Sequence, residues 1–423
     1  MVAFLYSIWL IVACPVLEAL SFNQDPVMIE AAARFDGMAQ NALKTSINTI
    51  IENSSKENNT CTLENLRVRR NWRAFTPAEK KSYIKSVLCL TKSQSITPPH
   101  LARGVRSRFD DFVAVHINQS YHVHRDGLFF AWHRYFIYEY EQALRNECNY
   151  TGDYPQVYHT TNKTDKKLTN KTSYWDWAAD ADNLEKSQLF DGSETSLSGN
   201  GAHIPNELPI AARMPGPYPP LWLPPGTGGG CVTSGPFKNM TVNLGPSYLA
   251  VPGDNITRMS NPLDYNPRCL KRDLTTALIQ MYVNYTSIVD LIIQSKIIWD
   301  LQDKMQGQAN SPGLHGDSPG LHGGGHFAMG GDPGRDADAS AGDPAFYHHH
   351  GMVDRVWWIW QNMDLKNREY AISGTSTFMD RPKSANVTLD YLIDVGYANA
   401  NRGPVALRDL MSTTAGPFCY VYL

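Results

Sequence analysis

Nine of the chain's thirteen histidines are crowded into two short stretches, and both have the pattern of helices. In the first, Phe109, Phe112, Val113 and Ile117 recur at helical spacing, and His116 falls on the side of Phe112 and Val113. His124 follows eight residues later, and His133 nine further, in the early turns of a second amphipathic helix rich in aromatics. Two helices and the loop between them can thus offer three imidazole nitrogens to one metal. In the second stretch His322 and His326 stand at i, i+4 on one face of a helical turn. Asp343-Pro344 then has the form of an N-cap followed by the first helical residue. The helix it opens carries His348, His349 and His350 in a row, only one of which is expected to point at a given metal. Trp357, seven residues after His350, shares that face.

Six neutral imidazoles, three to an ion and without a carboxylate, suit copper. Di-iron sites in helix bundles bring Glu-x-x-His motifs, and none stands here. A catalytic zinc needs three ligands and an open position, which would leave the second cluster unexplained. Lys+Arg 38 against Asp+Glu 41 gives a net charge of −3, which argues against a nucleic-acid binder.

The periodicity predicts helices over 26–54, 77–91, 103–118, 129–148, 273–306 and 343–363, in a mainly α domain. Residues 148–270 are rich in Pro, Gly, Asn and Ser and read as long irregular loop; 307–342 is a second glycine-rich stretch. Residues 1–21 read as a secretory signal: an apolar run over 3–14, closed by Pro15, precedes the small residues Ala19 and Ser21. That run is too short for a bilayer span of about 20 residues. The expectation is a secreted catalytic domain over 22–423 with no membrane attachment after cleavage. Six cysteines remain (Cys61, Cys89, Cys148, Cys231, Cys269, Cys419), without CxxC spacing, and read as up to three disulfides. Ten Asn-x-Ser/Thr sequons, from Asn53 to Asn386, agree with secretion.

Taken together, these residues resemble the type-3 dicopper proteins: tyrosinases, catechol oxidases and hemocyanins. The stretch from His116 through FFAWHRYFIYEYEQALR is similar to the first copper region of short secreted fungal tyrosinases and catechol oxidases. The second resembles their other copper region: H-x-x-x-H, the pair Gly330-Gly331, then D-P-x-F-x-x-H-H-x-x-x-D-R. Asp343, Pro344, Phe346, His349, His350, Asp354 and Arg355 fall on that last motif. Tyr174-Trp175-Asp176-Trp177 resembles a further family segment.

The resemblance implies a four-helix-bundle core holding two copper ions per chain. One would sit on His116, His124 and His133, the other on His322, His326 and the second histidine of the pair, His350. His348 is then incidental, and Asp354, one turn on, is expected to orient ligands from behind. The implied activity is oxidation of o-diphenols, with o-aminophenols, to o-quinones as O2 is reduced to water. Its partners are a phenolic small molecule and O2. The alternatives are a full tyrosinase that also hydroxylates monophenols, and a hemocyanin-like carrier using the same six histidines without turnover.

Two departures favour diphenol oxidation. Tyrosinases commonly carry Asn directly after the first histidine of the second region, where this chain has Gly323. No Glu lies between Trp299 and His322 to help deprotonate a phenol, whose pKa is near 10, leaving Asp317 as the substitute. Phe327 is placed to shape the entrance. Many fungal members also have a Cys crosslinked to the second histidine of the first region; His122 stands there instead, so no such crosslink forms. His122 itself is expected to lie outside the ligand set. The terminal Phe418-Cys419-Tyr420-Val421-Tyr422-Leu423 contains the Tyr-x-Tyr motif after which relatives begin a covering domain. The expectations are that Tyr420 and Tyr422 anchor the tail, that a disulfide at Cys419 fixes it, and that the enzyme needs no proteolytic activation.

Overall fold

Local capping decides where the helices begin. Helix α1 (Pro26–Asn53) starts with the Asp25 carboxylate accepting from the Val27 amide and Pro26 in the first turn. Helix α2 (Pro77–Leu90) opens on a Thr76/Glu79 capping box, and α3 (Arg108–Gln119) on a Ser107/Asp110 one. The second box is why α3 starts at Arg108 and not at 103. Helix α4 (Phe129–Cys148) stops where Asn149 turns left-handed and donates its N–H to the Leu144 carbonyl. The structure is a computed structural model, and it describes residues 25–56, 60–152, 171–213, 219–307 and 318–423. The expected signal at 1–21 and Asp317 lie outside the described residues.

The long helix expected over 273–306 is three: α5 (Thr276–Tyr282), α6 (Tyr285–Gln294) and α7 (Ile298–Met305). Asn284 makes the first break, its side chain accepting from the Ser287 amide to cap α6. The stretch Thr276–Gln294 is long and apolar enough to cross a membrane by composition, but it is half buried and divided at that cap. Helix α8 (Gly320–Met329) forms inside the glycine-rich stretch, around His322 and His326.

Helix α9 (Phe346–Asn362) starts three residues later than Asp343 suggested. Asp343 is not its N-cap. Arg272 donates to both Asp343 oxygens, at 2.9 and 2.7 Å, in a fully buried ion pair, and Oδ1 also accepts from the Ala345 amide. A buried guanidinium needs a partner more than a helix end does, so the pair wins.

A three-stranded parallel sheet closes one side, with β1 (Arg67–Asn71) between β2 (Lys171–Tyr174) and β3 (Tyr420–Tyr422). Among the described residues between β2 and α5, the loops carry short two-stranded ribbons, as their composition indicates. All six cysteines pair, as Cys61–Cys419, Cys89–Cys148 and Cys231–Cys269, so the tail is held by a disulfide as expected.

From Phe346 to Gln361 every residue of α9 is buried, which makes it the central helix of the core. It packs on α1, α4, α8 and β2. Its one buried carboxylate, Asp354, accepts from Arg69 (3.0 Å), Arg134 (2.6 Å), Tyr420 (2.6 Å) and Tyr422 (2.5 Å). Burial alone would raise this carboxyl; the two guanidiniums and the two phenols hold it below the usual value. None of its four bonds goes to an imidazole: Asp354 stands one turn behind His350 and ties the tail and α4 to α9. Asp354→Ala leaves Arg69 and Arg134 buried without their shared carboxylate and is expected to cost about 3–5 kcal/mol. Chemical denaturation of the variant checks this; a loss under 1 kcal/mol would contradict it.

Candidate metal centre

Four helices and one loop bring the histidines together. His116 stands on α3, His124 on the loop before α4, and His133 on α4; their nearest ring nitrogens all lie within 4.8 Å of one another. His322 and His326 on α8 form a second group with His349 and His350 on α9, by the same measure. The groups face each other. The His133 and His350 rings stack at 4.4 Å and 8°, and His124 lies 5.7 Å from His322. Phe346 covers the site from below, 4.2 Å from His350 and 5.1 Å from His116.

Hydrogen bonds on the far side of each ring set which nitrogen carries a lone pair. The Nδ1 atoms of His116, His124, His133 and His326 face the carbonyls of Asp338, Ser120, Phe129 and Gly334, at 2.6 to 3.0 Å. A carbonyl only accepts, so each Nδ1 carries the proton and each Nε2 keeps its lone pair. The Nε2 atoms of His116, His133, His349 and His350 are buried without any hydrogen-bond partner, as is Nδ1 of His350. The Nε2 atoms of His322 and His326 face each other at 3.2 Å. Buried orphan lone pairs converging in this way are what a metal would satisfy, and an all-imidazole donor set fits copper.

The expectation that one of three consecutive histidines reaches the site needs correction, because His349 and His350 both do. Chemistry separates them. The Trp177 indole N–H, which can only donate, points at His349 Nδ1 at 3.0 Å. The proton of His349 is therefore on Nε2, and neither of its ring nitrogens keeps a free lone pair. His350 carries no such constraint. His349 was not singled out in the sequence, nor was Gly325, where an added Cβ would come within 2.3 Å of the His349 ring. The signals were present, in the His-His pair and the Trp-Asp-Trp segment, but 172 residues separate Trp177 from His349. His348 turns away into a box formed by Trp72 and Tyr83, and His122 is exposed outside the cluster.

The open side is formed by half-buried His124, His322, Gly323, His326 and Phe327. A Cβ added at Gly323 would meet only Pro319, at 3.0 Å. A side chain there is accommodated only if the Pro319 ring gives by a few tenths of an ångström.

A family profile described as the common central domain of tyrosinase matches residues 106–363, which contain both histidine groups. The chain belongs to the tyrosinase family. It is 40% identical to Tyrosinase P of Aspergillus terreus over 364 residues, covering 84% of this chain and 91% of that one. It is 39% identical over 328 residues to the tyrosinase-like protein orsC of Emericella nidulans, covering 76% and 80%. Among solved structures it is similar to a polyphenol oxidase from Thermothelomyces thermophila, with a TM-score of 0.79 and 36% identity. That match covers 92% of this chain and 97% of the other. A tyrosinase-family type-3 copper oxidoreductase carries a dinuclear copper site on a helical core, and the two facing histidine groups fit it.

Burial keeps these imidazoles neutral. It lowers His124 and His326 from 6.5 to about 4, and it lowers His116, His133, His322 and His350 well below 6.5, helped by neighbouring histidines. As pH falls below 6.5 the unfolded chain takes up protons that the fold refuses, so metal-free protein loses stability between pH 6.5 and 4. At pH 5, about 1.5 units down, His124 and His326 are each expected to remove about 2 kcal/mol. Urea midpoints of metal-free protein at pH 7 and pH 5 measure it; an unchanged midpoint would contradict neutral, buried imidazoles.

Proposed function

We propose that this chain is a secreted catechol oxidase whose two coppers sit on His116, His124 and His133 and on His322, His326 and His350. The observation carrying the ligand set is the convergence of Nε2 lone pairs, with His349 set aside by Trp177. Secretion is supported by the three disulfides, the sequons and the leader pattern at 1–21. The catalytic domain is proposed to run over 22–423.

Copper, when bound, supplies the redox chemistry, taking two electrons from each of two o-diphenols and delivering four to O2, to give two o-quinones and two waters. The chain's own residues prepare the site for this. The carbonyls of Asp338, Ser120, Phe129 and Gly334 hold four rings in the ligating tautomer. Phe346 and Phe129 exclude water from beneath the rings. Gly323 and Phe327, half-buried beside His322 and His326, are the residues this reading places along the phenol's approach.

Gly323 carries no group to position a water or accept a proton. A monophenol must lose its phenolic proton, of pKa near 10, to approach as a phenolate. An o-diphenol brings two adjacent oxygens and needs only oxidation. A relative 35% identical to this chain bears the name N-acetyl-6-hydroxytryptophan oxidase, so a singly hydroxylated aromatic is a substrate to set beside o-diphenols in the test.

Three outcomes are expected. Copper-loaded protein oxidises catechol at least ~100-fold faster than it hydroxylates tyrosol, a factor worth about 3 kcal/mol of barrier; comparable rates would reverse the assignment in favour of full tyrosinase, and copper loading with no catechol turnover would favour the oxygen carrier. His350→Ala binds one copper and loses the oxidase activity, whereas His348→Ala keeps two. Elemental analysis decides, and two coppers in the His350→Ala protein would move the ligand to His349.

A further inference from the structure

A cavity of about 400 Å³ lies far along the chain from the second histidine group, in the size range of small-molecule sites. It opens between the end of α2, the first turn of α3 and the loop 236–243. Leu88, Phe237 and Met240 contribute apolar wall, and Thr91, Lys92 and Asn243 polar groups. Asn239 and Thr241 also line it, both exposed, and together they are the two ends of the sequon Asn239-Met240-Thr241. An attachment point for a carbohydrate therefore stands at the rim of a cavity of mixed polarity, the composition a sugar ring requires. Its C–H faces need apolar contact and its hydroxyls and acetamide need hydrogen-bonding groups.

Three other sequons among the described residues differ. Asn284 is 8% exposed, and its amide is committed: it donates to the Gln280 carbonyl at 2.6 Å and accepts from the Ser287 amide at 2.9 Å as the cap of α6. Asn255 and Asn386 are exposed but line no comparable cavity among those described.

We infer that Asn239 carries an N-linked glycan whose first N-acetylglucosamine seats in this cavity, clasping the loop 236–243 to α2 and to α3. Helix α3 carries His116, and Asn243 on the same loop already donates to the Asp110 carboxylate that caps α3. The Cys231–Cys269 disulfide and the pairing of Thr241–Val242 with Arg268–Cys269 hold the loop from its other side. The sugar thus braces the loop where it faces the helices. The inference rests on the proposed secretion and not on the oxidase chemistry.

The test uses full-length, copper-loaded protein secreted from a eukaryotic host. Peptide N-glycosidase in ¹⁸O water marks each released site for peptide mapping, on native and on denatured protein. Asn239 is expected to be marked and Asn284 not. From native protein the Asn239 glycan should be released roughly tenfold more slowly than the one on Asn386, because its base is reachable only when the loop opens. Asn239→Gln and Thr241→Ala should each lower Tm by about 2 °C, while Asn386→Gln leaves it unchanged and catechol oxidation per copper is unaffected in all three. Glycans at Asn255 or Asn386 without one at Asn239 would overturn the inference, as would equal release rates or an unchanged Tm in both Asn239-site variants. No glycan at any sequon would defeat the secretion reading and this inference with it.

Discussion

One buried carboxylate holds four parts of the chain in register. Asp354 on α9 receives Arg69 from β1, Arg134 from α4, and Tyr420 and Tyr422 from β3. A buried carboxylate in this position is tolerable only because every side of it is occupied by a donor. Arg69 reaches Glu141 on α4 as well, and Arg134 continues to the Met411 carbonyl and lies 3.6 Å over Trp357. Removing Asp354 takes from both guanidiniums the one carboxylate they share, while Glu141 and the Met411 carbonyl remain to them. The network consequently sets the distance between α4 and α9, and with it the facing of His133 and His350, one from each helix.

That separation allows the imidazoles to be sorted by tautomer. Burial removes their protons, and backbone carbonyls then decide which nitrogen keeps the remaining hydrogen. The carbonyls of Ser120 and Phe129 are each supplied from four residues before the ring they orient, by the turn ahead of His124 in one case and by the first turn of α4 in the other. Those of Asp338 and Gly334 come from the loop between α8 and α9. The Asp336 carboxylate holds that loop, accepting from the Ser247, Tyr248, Asp338 and Ala339 amides. Asp336 titrates near 6 because burial raises it, so the loop that orients His116 and His326 depends on a carboxylate sensitive to mild acid.

Much of this was legible from spacing. Helices α1 and α2 begin where Pro and a cap residue stand, and the histidine offsets of eight, nine, four and 24 residues survive in space as two facing groups. What was not legible lies across the chain and not along it. The N-cap pattern at Asp343 was outweighed by Arg272, 71 residues away. Six cysteines permit 15 pairings, and only the fold chooses among them. The four donors around Asp354 were not legible, because helical periodicity says which side a residue faces and not what waits there.

The same limit explains why His349 and His350 resist separation in sequence. Adjacent residues on a helix differ by about 100° in direction, which should send one ring away from the site. Instead α8 meets α9 at glycine: with no Cβ at Gly325, the His349 ring lies flat against the α8 backbone and remains beside His322 and His326. A side chain at Gly325 would expel it. The glycine run His322-Gly-Gly-Gly-His326 therefore does two separate things. Gly325 makes room inside for a seventh imidazole, whose Nδ1 is taken by Trp177, while Gly323 leaves the open side without a polar side chain. One favours a well-ordered ligand set, the other an entrance suited to a substrate that needs no help losing a proton.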